Sequence, residues 1–152
     1  MLGRHMGHQD RDRVELESID VRLTNDLADL PRLVRGVDEL CARHQVPPAI
    51  ASSLNLALEE AVSNVVHHGY DDAAPHQIDV RVSVAEGMLR AEVVDDGRPF
   101  DPREAAPPDL TAGIEERPIG GLGVWLIKRL MDEVGYQIVG GRNHLTLTKR
   151  WP

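Results

Sequence analysis

The stretch Ile78-Asp79-Val80-Arg81-Val82-Ser83-Val84-Ala85-Glu86-Gly87-Met88-Leu89-Arg90-Ala91-Glu92-Val93-Val94-Asp95 decides the fold. Ile78, Val80, Val82 and Val84 alternate with polar residues, the period of a strand buried on one face. Ala85-Glu86-Gly87 supplies a turn, and Leu89, Ala91 and Val93 return with the same period. The stretch therefore predicts a β-hairpin whose second strand ends in a carboxylate.

Working outward, the residues before the hairpin predict a helix from Pro48 to about His68. Proline is tolerated in a first helical turn, Gly69 can stop the last one, and Ile50, Leu54, Ala57, Leu58, Ala61, Val62 and Val65 form its apolar side. Further upstream, Leu27, Leu30, Val34, Val37, Leu40 and Cys41 recur at helical spacing. Thr24 or Asn25 is the expected cap, Pro31 belongs near the helix start, and His44 to Pro48 is a break. Val14 to Leu23 alternates weakly and is expected as an edge strand.

Downstream of the hairpin, residues 101–119 carry four prolines and no periodicity. An irregular stretch of this length inside a compact domain usually has a functional role. Gly121 or Leu122 then opens a helix to Met131, with Leu122, Trp125, Leu126, Ile127 and Leu130 as its apolar side. Tyr136, Ile138 and Val139, a Gly140-Gly141-Arg142-Asn143 turn, and Leu145 and Leu147 predict a final hairpin. The expected fold class is α/β (α+β): a two-layer sandwich whose mostly antiparallel or mixed sheet is covered on one face by helices. Residues 1–12 are expected to be disordered, with His5-Met6 resembling a cloning remnant, and 13–152 to form a single domain.

Composition narrows the function. Aromatics are 3 % of the 152 residues and the formal charge is −8, so neither stacking platforms nor a cationic surface for nucleic acid is expected. The one cysteine, Cys41, lies on an apolar helical stripe and reads as a buried, inert thiol. No apolar run is long enough to cross a membrane and no hydrophobic signal segment is evident, so a cytoplasmic protein is expected.

Three short segments carry chemistry. In Glu60-Ala61-Val62-Ser63-Asn64 a carboxylate and an amide share one helix face, about 6 Å apart along the axis. An Asn oxygen suits Mg²⁺, and a carboxylate one turn away can accept a proton from a nucleophile. Glu59 points about 100° away and is the weaker base. Asp95, at a strand end, can accept a hydrogen bond from an exocyclic amino group, and Gly97 would let a ligand approach the backbone. Gly120, Gly121 and Gly123 open a helix whose amides and dipole can bind phosphate, although neither the P-loop nor the dinucleotide spacing is present. Phe100 is expected to pack under its loop. Each segment alone also fits a wet helix face or a plain turn; their order and spacing single them out.

The ordered set resembles the Bergerat-fold (GHKL) ATP-binding superfamily of gyrase, histidine kinases and MutL, over roughly residues 20 to 150. Within it, the chain resembles most the anti-sigma factor serine/threonine kinases. The resemblance is carried by Glu60-Ala61-Val62-Ser63-Asn64-Val65-Val66-His67-His68-Gly69-Tyr70, Asp95-Asp96-Gly97-Arg98-Pro99-Phe100-Asp101-Pro102 and Gly120-Gly121-Leu122-Gly123-Val124-Trp125-Leu126-Ile127. It implies ATP and Mg²⁺ as cofactors, Glu60 as the catalytic base and Asn64 as the metal ligand. It also implies Asp95 at adenine with Gly97 giving room, Gly121, Leu122 and Gly123 beside the triphosphate, and residues 101–119 as a lid. His67 and His68 are expected to secure the helix end.

The resemblance further implies phosphorylation of a serine on a small anti-anti-sigma protein, sequestration of a sigma factor, and a homodimer. Arg103 and Arg117 are both candidates to neutralise phosphate. These residues contain no helix pair with an acceptor histidine and no second domain of the gyrase or MutL kind. Glu60 is therefore expected to activate a protein hydroxyl rather than water. A non-catalytic ATP-dependent partner-binding module and a plain Mg-ATPase are the alternative readings.

Overall fold

The computed structural model describes residues 13–104 and 121–152. The expected disordered segment 1–12, most of the expected lid, Arg117 and Gly120 lie outside them. The described residues form five strands, β1 (Glu15–Thr24), β2 (Gln77–Ala85), β3 (Met88–Asp95), β4 (Glu133–Val139) and β5 (Arg142–Arg150). Three helices accompany them, α1 (Leu30–Arg43), α2 (Pro48–His68) and α3 (Gly121–Leu130), with short 3-10 turns at Leu27–Asp29 and Pro102–Glu104. The sheet is antiparallel throughout, in the order β1-β2-β3-β5-β4.

The hairpin read from the sequence is the centre of this sheet. Val80, Val82 and Val84 of β2 face Val93, Ala91 and Leu89 of β3 in register, and all six are buried. The same face continues into Leu145 and Leu147 on β5 and into Val21 and Leu23 on β1. The helices cover it: α1 contributes Leu33, Val37, Leu40 and Cys41, and α2 contributes Ala51, Leu54, Ala57, Leu58, Ala61 and Val62. Burying one such leucine contributes about 1.5–3 kcal/mol, so α2 is the main apolar anchor of the helical layer. The other sheet face is charged and self-paired, with Asp79 bound by Arg22 (2.8 Å) and Arg142 (3.2 Å), and Arg81 bound to Asp20 (3.0 Å).

Four local expectations differ in detail. Neither Thr24 nor Asn25 caps α1: Asp26 caps the 3-10 turn by accepting the Ala28 amide at 2.9 Å, and α1 follows it from Asp29 with no side-chain cap. Leu33 takes the core position in α1 expected for Val34, since Leu33, Val37, Leu40 and Cys41 stand on one face. A bulge between Glu15 and Glu17 interrupts the alternation of β1, leaving Leu16 exposed. The last hairpin turns on only two residues, because Gly140 (φ 59°) and Gly141 (φ 77°) both adopt left-handed geometry. Arg142 and Asn143 therefore belong to β5.

Candidate functional site

A cavity of about 220 Å³ opens between α2, α3 and the ends of β3, β4 and β5. Ala61, Asn64, Val65 and His68 reach it from successive turns of one face of α2, as spacings of three and four require. Val93, Ile127 and Leu145 give it apolar walls, and Phe100, Pro99 and Pro102 stand along its rim. Phe100 is 52 % exposed and borders the cavity instead of packing beneath its loop.

Asp95 is the carboxylate at the cavity floor and is only 6 % exposed. Its Oδ1 accepts two hydrogen bonds, from the Gly97 amide at 2.8 Å and from Asn143 Nδ2 at 2.9 Å. Burial pushes its pKa above the ordinary carboxylate range, opposed by those two bonds. Both protein bonds fall on one oxygen, so Oδ2 is the acceptor left for a ligand.

Gly97 is used differently from the expectation. A Cβ there would stand 2.8 Å from Gly69 O and 3.0 Å from Gly69 Cα, so the missing side chain lets the loop lie against the end of α2. The Arg98 amide donates to Gly69 O at 2.7 Å in the same contact. Tyr70 stacks on His76 at 3.8 Å and its hydroxyl donates to Asp96 Oδ1 at 2.9 Å, tying the segment after α2 to the end of β3. His68 lines the cavity, and its carbonyl accepts Arg98 Nη1 at 3.2 Å.

Glu60 is half-buried and lies between α2 and α3 rather than in the cavity wall. A Cβ added to Gly123 would overlap Glu60 Oε2 and approach its Cδ to 3.3 Å, so the carboxylate rests directly on the Gly123 backbone. The structure thus brings Glu60 to the first turn of α3, which starts at Gly121 and exposes Leu122, while Asn64 lines the cavity; Leu122 and Gly123 do not line it. Among the described residues no cluster of three His, Cys, Asp or Glu side chains could hold a metal ion. A cation at Asn64 would have to take its other oxygens from water and phosphate, as Mg²⁺ does. Arg103 is committed to Asp101, at 2.8 and 3.0 Å, and reaches the Tyr136 carbonyl at 3.3 Å.

The main site residues that sequence reasoning missed are Asn143 and Tyr136. Tyr136 donates its hydroxyl to Asn143 Oδ1 at 2.5 Å, and Asn143 Nδ2 also donates to Gly97 O at 3.0 Å. A signal existed: Asn143 is a polar residue in the apolar period of Leu145 and Leu147, and it stands opposite Asp95 in the β3–β5 register.

An apolar slot with one carboxylate at its floor, beside a helix that starts in glycines and an Asn-bearing helix face, defines a nucleotide-binding α+β domain. The chain belongs to the histidine kinase-like ATPase domain family, which matches residues 23–149. It is 28 % identical over 112 residues to the serine/threonine-protein kinase BtrW of Bordetella bronchiseptica, covering 74 % of this chain and 79 % of that protein. It is 35 % identical over 92 residues to the serine-protein kinase RsbW of Bacillus velezensis, covering 58 % of each. The chain thus spans little more than half the length of that relative. Its fold is shared with the crystal structure of the RsbU and RsbW domains of a Mycobacterium tuberculosis protein, at a TM-score of 0.62 and 22 % identity, over 88 % of this chain and 32 % of that one. The histidine kinase domain of a blue-light-activated Erythrobacter litoralis protein aligns with a TM-score of 0.53 and 21 % identity, over 82 % of this chain and 60 % of that one. No helix among the described residues is long and apolar enough to cross a membrane.

Proposed function

We propose that this chain is an anti-sigma regulatory serine/threonine protein kinase. It moves phosphate from ATP to a hydroxyl on a small anti-anti-sigma protein and sequesters a sigma factor, working in the cytoplasm. The observation that carries the reading is the pairing of Glu60 and Asn64 one helical turn apart, with the Glu60 carboxylate against Gly123 at the start of α3. The names and family of its relatives support it.

The residues present fit a nucleotide and its Mg²⁺. Asp95 has one oxygen engaged by the protein and one left to accept a 6-amino group. Val93, Ile127 and Leu145 exclude water from the base, and the bare Gly123 backbone makes room for the Glu60 carboxylate. Asn64, whose side chain makes no hydrogen bond to the described residues, would hold the cation. ATP with Mg²⁺ supplies an activated phosphoryl group whose developing charge the cation neutralises. Glu60 holds the acceptor hydroxyl and takes its proton.

The test is transfer of labelled γ-phosphate to small anti-anti-sigma proteins by wild type and Glu60→Gln. Phosphoserine formed only by the wild type is the expected result. Steady ADP release without a protein acceptor would assign a plain ATPase, and sigma-factor capture without turnover would assign a binding module.

A further inference from the structure

We propose that Tyr136 and Asn143 are positioning residues that aim Asp95 at the base and set a preference for 6-amino over 6-oxo purines. The proposal rests on the nucleotide-binding reading above and concerns two side chains that this reading leaves without a role. Asn143 is 5 % exposed and borders the cavity. Both amide protons are spent on the protein: Nδ2 donates to Asp95 Oδ1 and to Gly97 O, while Oδ1 accepts from Tyr136. Having spent both protons, Asn143 has no donor left for a ligand. Its donors therefore serve to hold the carboxylate that reads the base.

The orientation of the amide follows from its neighbours. Rotating it by half a turn would set its oxygen against a carboxylate and a carbonyl, two groups that can only accept. Asp95 and Gly97 thus fix the orientation, and the Tyr136 hydroxyl, donating to Oδ1, holds the amide in place. Asn143 Nδ2 on Gly97 O extends the clamp to the start of the loop that follows β3. With Oδ1 held from two sides, Asp95 cannot turn its carboxylate to suit another ligand.

The chemical consequence is selectivity. A fixed carboxylate oxygen accepts from an exocyclic amino group and repels a carbonyl at the same position. A carboxylate released to rotate can instead find the ring N–H of a 6-oxo purine. Loss of the clamp should therefore weaken the amino purine while sparing the oxo purine.

The experiment is calorimetric binding of ADP and of inosine diphosphate to wild type, Tyr136→Phe and Asn143→Ala, with circular dichroism and melting of each nucleotide-free protein. Tyr136→Phe keeps the ring and removes only the hydroxyl. It is expected to weaken ADP about 3- to 10-fold, the effect of one neutral hydrogen bond, while inosine diphosphate changes less than about twofold. Asn143→Ala should lower the ADP preference further. An unchanged preference in a folded Tyr136→Phe protein, or equal weakening of both nucleotides, would overturn the positioning role. Failure of the wild type to bind ADP would overturn the nucleotide reading as well, which separates the two failures.

Discussion

The Glu60 carboxylate lies on the backbone of Gly123, bringing the middle of α2 and the first turn of α3 into contact through a residue that has no side chain. This contact places a candidate proton acceptor beside helix amides that can hold phosphate, an arrangement neither segment produces alone.

Glu60→Gln keeps the size of the side chain and removes its basicity. Phosphotransfer should fall about 10²- to 10⁴-fold, the usual contribution of a positioned base, while ADP affinity measured by calorimetry stays near that of the wild type. Equal losses of transfer and of binding would move Glu60 from catalysis to nucleotide contact.

Asp95→Asn separates stability from binding. Burial raises the Asp95 pKa above its unfolded value, so the native state favours the protonated form. The strain of holding the ionised group is fully present at neutral pH and is relieved as pH falls through the raised pKa. An Asn there can still accept from Gly97 and Asn143 through Oδ1, so the nucleotide-free variant should melt no lower than wild type. ATP binding should nevertheless weaken about 10- to 100-fold, the worth of a charge-assisted hydrogen bond. For the same reason wild-type affinity should decline on acidification sooner than an ordinary carboxylate would predict. A melting scan at pH 7 and a titration across the acid range check both.

Gly97→Ala drives a Cβ to 2.8 Å from Gly69 O, a backbone atom that cannot rotate aside. The expected cost is about 1–3 kcal/mol, as for other overpacked sites, with weaker ADP binding because the loop carrying Arg98 and Phe100 is pushed outward. Chemical denaturation of the variant against wild type measures the loss.

Glu17 joins β1 to the end of α1 by accepting from Arg43 at 2.7 and 3.1 Å and by pairing with His44 at 2.7 Å. The Arg43 guanidinium, and then His44, hold its pKa down to about 2 from 4.5. A depressed carboxylate pKa contributes stability above the unfolded value, lost as pH falls through the folded one. Glu17→Gln should therefore melt below wild type at pH 7, and the gap should narrow steadily from pH 5 towards pH 2. A gap that persists at the acid end would deny the ion pair its role.

Much of this molecule was legible because period and punctuation are local properties. The β2–β3 hairpin, α2 between Pro48 and Gly69, and the placement of β1 at an edge follow from alternation, helical spacing and the conformational limits of proline and glycine. Asp26 was missed as a cap because Thr24, Asn25 and Asp26 have equivalent cap chemistry. The turn at Gly140-Gly141 is shorter than its polar composition suggests, because both glycines take positive φ and leave Arg142 and Asn143 to the strand.

The sequence by itself determined most of the secondary elements, the buried faces of α2 and of the β2–β3 hairpin, and the candidates Glu60, Asn64 and Asp95, because each depends on neighbours within one element. Only the tertiary structure decided that Gly97 serves the end of α2, that Gly123 serves Glu60, and that Tyr136 and Asn143 hold Asp95. Gly97 and Gly69, Gly123 and Glu60, and Asn143 and Asp95 are each more than 25 positions apart. These relationships exist only once the β3–β5 register and the packing of α2 against its neighbours bring backbone and side chain within ångströms of one another.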